Sequence, residues 1–321
     1  MLTVVVPTCN RPSGLLVALR SLLAQSTDDR YEIIVVDNYG GADTRSIIES
    51  LPSAAGVEVR YVAEPVRGSS YARNAGISAS RGEFVAFMDD DMVASPAWLQ
   101  SLADCFRRHP EAWVVGGRIT LGLPARSPVW FHPELGLTSY LGRLDLGADT
   151  MKLSHPFSVF SGNAAVRRSA LERLGGFDVR LGRTGTGLFG GEDTEFFERV
   201  NRAGGVAYYC GRATAVHTIA PARLRRGWFR CRAFFQGRTD VLIAAIHPAM
   251  SGVCPSPARI ALRTAKSAAR MLQRLASGDL CGAFESEFHT WVGIGRLYEI
   301  GAGVHRRIAS PADAPRRLAP R

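Results

Sequence analysis

Three consecutive carboxylates, Asp89, Asp90 and Asp91, follow directly on the apolar run Phe84–Met88. Like charges at that spacing repel one another unless something positive stands among them. A hard divalent cation with oxygen ligands, held between the protein and a phosphate-bearing substrate, answers that repulsion. The same run also fits a helix N-terminus ahead of Ser95-Pro96-Ala97-Trp98, where acids complement the helix dipole. A second acidic pair, Glu192-Asp193, follows Gly190-Gly191 and opens a helical pattern. A carboxylate there can act as a general base if the fold brings it to the first cluster, or it can simply complement the dipole.

Four further segments carry groups able to hold a ligand. Val6-Pro7-Thr8-Cys9-Asn10-Arg11-Pro12 reads as a strand passing through a polar turn into a helix, which offers backbone N–H groups and side chains. Asp37 ends the run Ile33-Ile34-Val35-Val36, where an acid can accept hydrogen bonds from a base or a ribose or can cap a helix. Within Arg67–Gly76, Gly68 allows close backbone approach and Arg73 can reach a phosphate. His217 stands alone in Ala215-Val216-His217, and a lone histidine is more often structural than metal-ligating. Gly185-Thr186-Gly187-Leu188-Phe189-Gly190 fits the spacing of a dinucleotide fingerprint. It lacks the preceding apolar strand and is read as a flexible glycine loop.

These groups need elements to position them. Residues 1–120 alternate strand and helix signals: strands at Leu2–Val6, Ile33–Val36, Val57–Val62 and Phe84–Met88, with helical patterns after Pro12, around Ile47–Leu51 and over Ser70–Ser80. In the first of those helices Leu15, Leu16, Leu19, Leu22 and Leu23 recur near the helical period. Repeated β-α-β order with continuous apolar strands predicts an α/β fold, its sheet mostly parallel and flanked by helices. The ligand crevice is then expected at the carboxyl ends of the strands, beside Thr8, Asp37 and Asp89–Asp91. Residues 121–160 are rich in Pro, Gly and aromatics and read as a long irregular segment. Helices follow at Arg168–Leu174 and Asp193–Ala203, a strand at Val206–Cys210, then helices at Arg223–Ile246 and Pro257–Leu275. The tail after Ala309 reads as disordered.

Composition narrows the class. The chain has 321 residues and a formal net charge of +10, with no apolar stretch long enough to span a membrane. Its N-terminus reads as a first strand rather than a signal peptide. The six cysteines form no CxxC pair, so reduced thiols in a cytoplasmic protein are expected rather than structural zinc. Residues 1–220 hold 22 Lys+Arg against 23 Asp+Glu, whereas the chain from Pro221 holds 17 against 6. A basic C-terminal part suggests an anionic partner. Trp228, Phe229, Phe234 and Phe235 lie there among Arg223, Arg225, Arg226, Arg230, Arg232 and Arg238. That mix suits either peripheral contact with the inner face of a membrane or, preferably, a helix closing the acceptor site with its aromatics in the core. No nucleic-acid motif appears.

The order of the motifs is more specific than any one of them. Val6-Pro7-Thr8-x-Asn10-Arg11, Val35-Val36-Asp37-Asn38, Ala72-Arg73-Asn74-x-Gly76 and Phe87-Met88-Asp89-Asp90-Asp91 resemble the nucleotide-binding half of the family 2 glycosyltransferases. Ser161-Gly162-Asn163-Ala164, Gly175-Gly176-Phe177-Asp178 and Gly191-Glu192-Asp193 resemble its acceptor half. The likeness spans roughly residues 1–217. It implies a GT-A fold over 1–220, with a nucleotide-sugar half at 1–120 and an acceptor half at 121–220. A basic helical C-terminal extension at 221–308 and a disordered tail at 309–321 follow.

By that resemblance Pro7, Thr8, Asn10 and Arg11 line the nucleotide pocket and Asp37 pairs with the base, most often uracil. Gly68 and Arg73 approach the donor, and Asp89 and Asp90 lie near ribose and sugar. Asp91 binds Mn2+ or Mg2+ on the diphosphate with His217 completing the shell. Asp193 is the catalytic base with Glu192 beside it, and Asn163 and Gly191 fall on the acceptor side. The implied activity is inverting, metal-dependent transfer of a single sugar, preferably from a UDP-sugar, to a glycan, lipid-linked or small-molecule acceptor. QxxRW and membrane spans are missing, which argues against a processive synthase. A nucleotidyltransferase would need a glycine-rich basic loop near the N-terminus, and Pro7–Pro12 has no glycine. A non-catalytic nucleotide- or membrane-binding module would not need Asp89, Asp91 and Asp193 together.

Overall fold

The structure, a computed structural model, describes residues 1–52, 56–132, 136–154, 159–185, 187–247 and 255–303. The tail expected after Ala309 lies outside the described residues. Strands β1 (Leu2–Thr8), β2 (Tyr31–Asp37), β3 (Glu58–Ala63) and β4 (Phe84–Met88) pair in parallel in the order β3-β2-β1-β4. Alternation along them shows why. Val4, Val6, Ile33, Val35, Ala86 and Met88 pack into one apolar cluster with Leu15, Leu19 and Leu22 of α1 (Pro12–Leu23) and Trp98, Leu99 and Phe106 of α4 (Trp98–Arg108). Val5, Ile34, Val36, Val85 and Phe87 face the other side, toward Ala72 and Ile77 of α3 (Ser69–Ala79), Leu171 of α5 (Arg168–Leu174) and Phe196 and Phe197 of α6 (Glu192–Arg202). A strand buried on both faces is apolar along most of its length, and side chains alternate between the two layers. The short α2 (Ala42–Ser50) covers β3 near the edge.

Beyond β4 the sheet becomes mixed. β8 (Asn163–Arg167) runs antiparallel to both β4 and β6 (Ala112–Gly122), and β6 pairs in parallel with β9 (Val206–Thr218). β5 (Met92–Ala94) and β7 (Thr150–Lys152) run antiparallel to β9. The parallel pairing expected of the sheet is found among β1–β4 and again between β6 and β9, with antiparallel β8 between the two groups. The segment 121–160 is only partly irregular: among its described residues are the end of β6, a 3-10 turn at Gly136–Leu141 and β7.

The C-terminal part forms α7 (Arg226–Ile246), α8 (Pro257–Ala276) and α9 (Leu280–Ala302). Phe229, Ala233, Phe284, Phe288 and Val292 build a third apolar cluster, which takes in Phe131, Leu137, Leu141 and Ile219 from the preceding chain. α7 and α9 approach so closely that a Cβ on Gly237 would strike the Val292 carbonyl, and one on Gly295 the Phe234 carbonyl. No described helix is long and apolar enough to cross a membrane.

One polar side chain ties the mixed part of the sheet. Asn163 has no solvent exposure. Its Nδ2 donates to the carbonyls of Arg118 (2.8 Å) and Ala213 (3.0 Å), and its Oδ1 accepts from Trp98 Nε1 at 2.7 Å. Asn163→Ala leaves all three partners buried and unsatisfied. At about 1–3 kcal/mol for each such group, partly relieved by relaxation, the expected loss is about 3 kcal/mol in urea unfolding. A change within about 0.5 kcal/mol would contradict this role.

Candidate active site

The carboxyl ends of β1 and β4 place Thr8 beside the acidic run. Thr8 Oγ1 donates to Asp90 Oδ2 at 2.8 Å. Arg11, at the start of α1, reaches both Asp90 Oδ1 (3.0 Å) and Asp91 Oδ2 (2.9 Å). The turn is tight: a Cβ on Gly14 would lie 2.7 Å from the Asp90 carbonyl, and one on Gly162 would lie 2.7 Å from Asp89 Oδ2. Asp90 is 5% exposed, and burial pushes its carboxyl up to about 6 against the opposing charge of Arg11.

The second acidic pair joins the first through Arg73. From α3, its guanidinium donates to Asp89 Oδ1 and Glu192 Oε1, both at 2.9 Å. Burial disfavours its charge, but Asp89, Asp193 and Glu192 outweigh that and raise its pKa. Ser69 Oγ adds a further bond to Glu192 Oε1 at 2.9 Å. Gly191 turns the chain into α6 at φ 91°, and a Cβ there would meet Thr239 and Ile243. Glycine alone suits both demands. Asp193 Oδ2 accepts from the Ser161 N–H at 3.2 Å, while its Oδ1 is buried with no hydrogen-bond partner. Burial first, and then the charge of Glu192, push the Asp193 carboxyl up to about 6. An unpartnered oxygen on a carboxylate of raised basicity is suited to taking a proton.

β5 and β9 make the third junction. Met92 lies opposite His217 in the register, so Asp91 and His217 meet from distant parts of the chain. Asp91 Oδ1 is 3.3 Å from His217 Nε2. The Leu141 carbonyl lies 2.7 Å from His217 Nδ1, which places a ring proton on Nδ1 and turns Nε2 toward Asp91. Arg223 stands between them, with Nη1 at 3.0 Å from His217 Nε2 and Nη2 at 2.9 Å from Asp91 Oδ2. Burial opposes ionisation of Asp91, but His217, then Arg223 and Arg11, hold its carboxyl well below the usual range. One carboxylate oxygen and one imidazole nitrogen converging on a cationic group are a donor pair that also suits a divalent metal. Among the described residues no third such side chain joins them, so substrate oxygens would have to complete a shell.

Other expected residues stand apart. Asp37 is 1% exposed, its Oδ1 accepting from the N–H groups of Tyr39 (3.0 Å) and Gly40 (3.1 Å) and its Oδ2 from Tyr61 O–H (3.2 Å). The Gly68 N–H donates to Asn38 Oδ1 at 2.7 Å. Pro7 is half-buried, and Asn10 is exposed at φ 52°. The Asn163 amide is wholly engaged within the sheet, so it presents no free polar atom to an acceptor. In the Gly185–Gly190 loop, Phe189 packs edge-on against Phe235 at 4.8 Å, while Thr186 lies outside the described residues. Sequence reasoning made Arg223 the first residue of the helix Arg223–Ile246, whereas α7 begins at Arg226. Arg223 belongs to the site because Pro221 opens a 3-10 turn, Pro221–Leu224, directly after β9.

The chain has relatives among known proteins. A family model described as Glycosyl transferase family 2 matches residues 3–175. The chain is 31% identical over 240 residues to the Succinoglycan biosynthesis protein ExoM of Rhizobium meliloti (strain 1021), covering 72% of this chain and 71% of that protein. It is 26% identical over 234 residues to the Glucosyl-dolichyl phosphate glucuronosyltransferase of Haloferax volcanii, covering 73% of each. Among solved structures, a mannosyltransferase from Pyrobaculum calidifontis in complex with GDP-Man and Mn2+ superposes with a TM-score of 0.59 at 18% identity, over 93% of this chain and 87% of that one. The fold is GT-A.

Two of the shifted acids, Asp193 and Asp91, make opposite contributions to stability. Asp193 titrates near 6 in the folded chain, against about 3.9 when unfolded. Its stabilising share is complete below about pH 4 and lost as pH rises through about 6. Asp91, held low, contributes above the ordinary carboxylate range and loses that share as pH falls. Asp193→Asn is therefore expected to melt above the parent at pH 8, with the gap closing toward pH 4. A gap independent of pH would contradict the assignment.

Proposed function

The chain belongs to glycosyl transferase family 2, and from that premise we propose that it transfers a single sugar, with inversion, from a nucleotide-sugar to a hydroxyl or amine. The acceptor classes are a glycan, a lipid-linked saccharide or a small natural product. The observation that carries the proposal is Asp193. Its Oδ1 is unpartnered, its basicity is raised, and Arg73 and Glu192 tie it to the Asp89–Asp91 cluster.

In this reading Asp193 removes the acceptor proton as the nucleophile attacks the anomeric carbon opposite the leaving diphosphate. Charge then passes from acceptor to leaving group through an oxocarbenium-like transition state. Thr8, Asn10 and Arg11 line the nucleotide pocket with Pro7, and Gly68 and Arg73 bound its donor side. Asp89 and Asp90 face ribose and sugar, and Gly191 holds the acceptor side open for Asp193. A UDP-sugar is preferred because Asp37 has little acceptor capacity left. With three donors already bound, its remaining lone pair on Oδ2 suits the single imide N–H of uracil better than the two-donor edge of guanine. Asp91 and His217 would hold Mn2+ or Mg2+, which neutralises charge on the diphosphate when bound.

Peripheral membrane contact, if made, runs through α8 rather than α7. Phe229 is fully buried and Phe234 packs on Tyr298 at 5.3 Å, whereas Leu262 and Leu272 on α8 are 57% and 62% exposed beside a basic stripe.

Asp193→Asn tests the proposal. Turnover should fall at least about a hundredfold, in line with loss of a general base, while UDP binding by calorimetry stays within about twofold. Parent turnover should decline on the acid side with a midpoint near 6, the value to which Asp193 is raised. Retained turnover in the variant, or loss of UDP binding, would overturn the role.

A further inference from the structure

A cavity of about 570 Å³ lies between α7, α8 and α9, outside the carboxylate cluster. Arg263, Lys266 and Arg270 reach it from α8, and Arg296 and His289 from α9. Among the described residues the carboxylate lining it is Asp240, which is already occupied: Arg296 Nη2 lies 2.6 Å from its Oδ2 and Gln236 donates to its Oδ1 at 2.8 Å. Elsewhere the extension balances its charge across helices, through Arg238 to Glu299 at 2.7 Å, Arg230 to Glu287 at 2.5 Å and Arg274 to Glu285 at 3.7 Å. No described carboxylate pairs with Arg263, Lys266 or Arg270 in this way. A concave surface with several unbalanced cations is a site for an anion.

The cavity is coupled to the acidic pair by α7. Gln236 and Asp240 line it, while Thr239, on the adjoining side of the helix, lies within 3.5 Å of the Gly190 N–H and against Gly191. Tyr140, also in the lining, carries the Arg232 guanidinium 5.8 Å from its ring centre. Arg232 Nη1 is buried with no hydrogen-bond partner. Burial, and then the like charge of Arg183, lower its pKa to about 10. Positive charge thus extends from the cavity toward Glu192 and Asp193.

We propose that this cavity is a phosphate subsite for the acceptor, holding the phosphate or diphosphate ester of a phosphorylated acceptor whose hydroxyl is presented to Asp193. The assignment to the acceptor rests on the glycosyltransferase function proposed above; the anion site itself does not. Two sources share this chemistry, a soluble sugar phosphate and an isoprenyl phosphate. The exposed Leu262 and Leu272 on the same helix would favour the second.

The test uses the full chain with its donor site filled by UDP and Mn2+. Calorimetry compares inorganic diphosphate with farnesyl diphosphate on the parent and on the combined Arg263→Ala, Lys266→Ala, Arg270→Ala variant. All three positions are exposed, so the fold should persist, and an unchanged melting temperature and UDP affinity would check it. The parent should bind a diphosphate probe, and the variant at least tenfold more weakly. Tighter binding of farnesyl diphosphate would identify a lipid-linked source, and equal binding a soluble one. Equal affinities of parent and variant for both probes, or no binding by the parent, would overturn the site. Charge-dependent binding by a parent that transfers from no nucleotide-sugar would instead overturn its assignment to an acceptor.

Discussion

Mutual repulsion among Asp89, Asp90, Asp91, Glu192 and Asp193 is the constraint on which the rest of the molecule depends. Two like charges about 4 Å apart cost about 4 kcal/mol at the effective dielectric of a protein surface. Several such pairs would exceed the net stability of an ordinary domain. Arg11, Arg73 and Arg223 offset that cost, each from a different element; Arg73 links acids far apart in the chain, and Arg223 reaches Asp91 from beyond β9. The topology follows from this need. α1 must begin at the end of β1, α3 must aim Arg73 at two acids, and β9 must run long enough to set His217 and then Arg223 against Asp91. Residual imbalance remains on Asp91, held ionised, and on Asp90 and Asp193, held basic.

Much of this was legible in the sequence where the signal was local. Continuous apolar runs located β1, β2 and β4 closely, because strands covered on both faces are apolar along most of their length. α5 falls at Arg168–Leu174 as its pattern suggested. The strands that complete the sheet were harder to see. β8 is short, β5 is shorter, and β6 carries Gly116 and Gly117, which exist to admit Val159 and the Asn163 amide rather than to signal a strand. The mixed pairing depends on contacts between residues far apart, which no window of sequence contains. α9 likewise lacks a clean apolar stripe, since its glycines serve close packing on α7 and α8.

The site divides in the same way. Residues bound to strand ends, such as Thr8, Asp37 and Asp89–Asp91, could be placed from the runs before them. Arg223 could not, because its partners are set by β5–β9 register. Asn163 belongs to a motif of the acceptor half, yet its side chain is consumed in joining β8 to β6, β9 and α4. Its contribution is the position of the strand. The aromatics of α7 were read as core-facing in preference to membrane-facing, and Phe229, packed edge-on among Trp130, Phe284 and Phe288, fits that reading.

What distinguishes the acids is their neighbours: His217 and Arg223 for Asp91, and Ser161 and Glu192 for Asp193. The most direct measurement of that division is electron paramagnetic resonance of Mn2+ added to the protein with UDP, comparing parent, Asp91→Asn and Asp193→Asn. The signal of free Mn2+ should rise markedly for Asp91→Asn and match the parent for Asp193→Asn. If Asp91→Asn retained bound Mn2+, or if both variants lost it equally, the two acids would not hold the separate roles their surroundings assign.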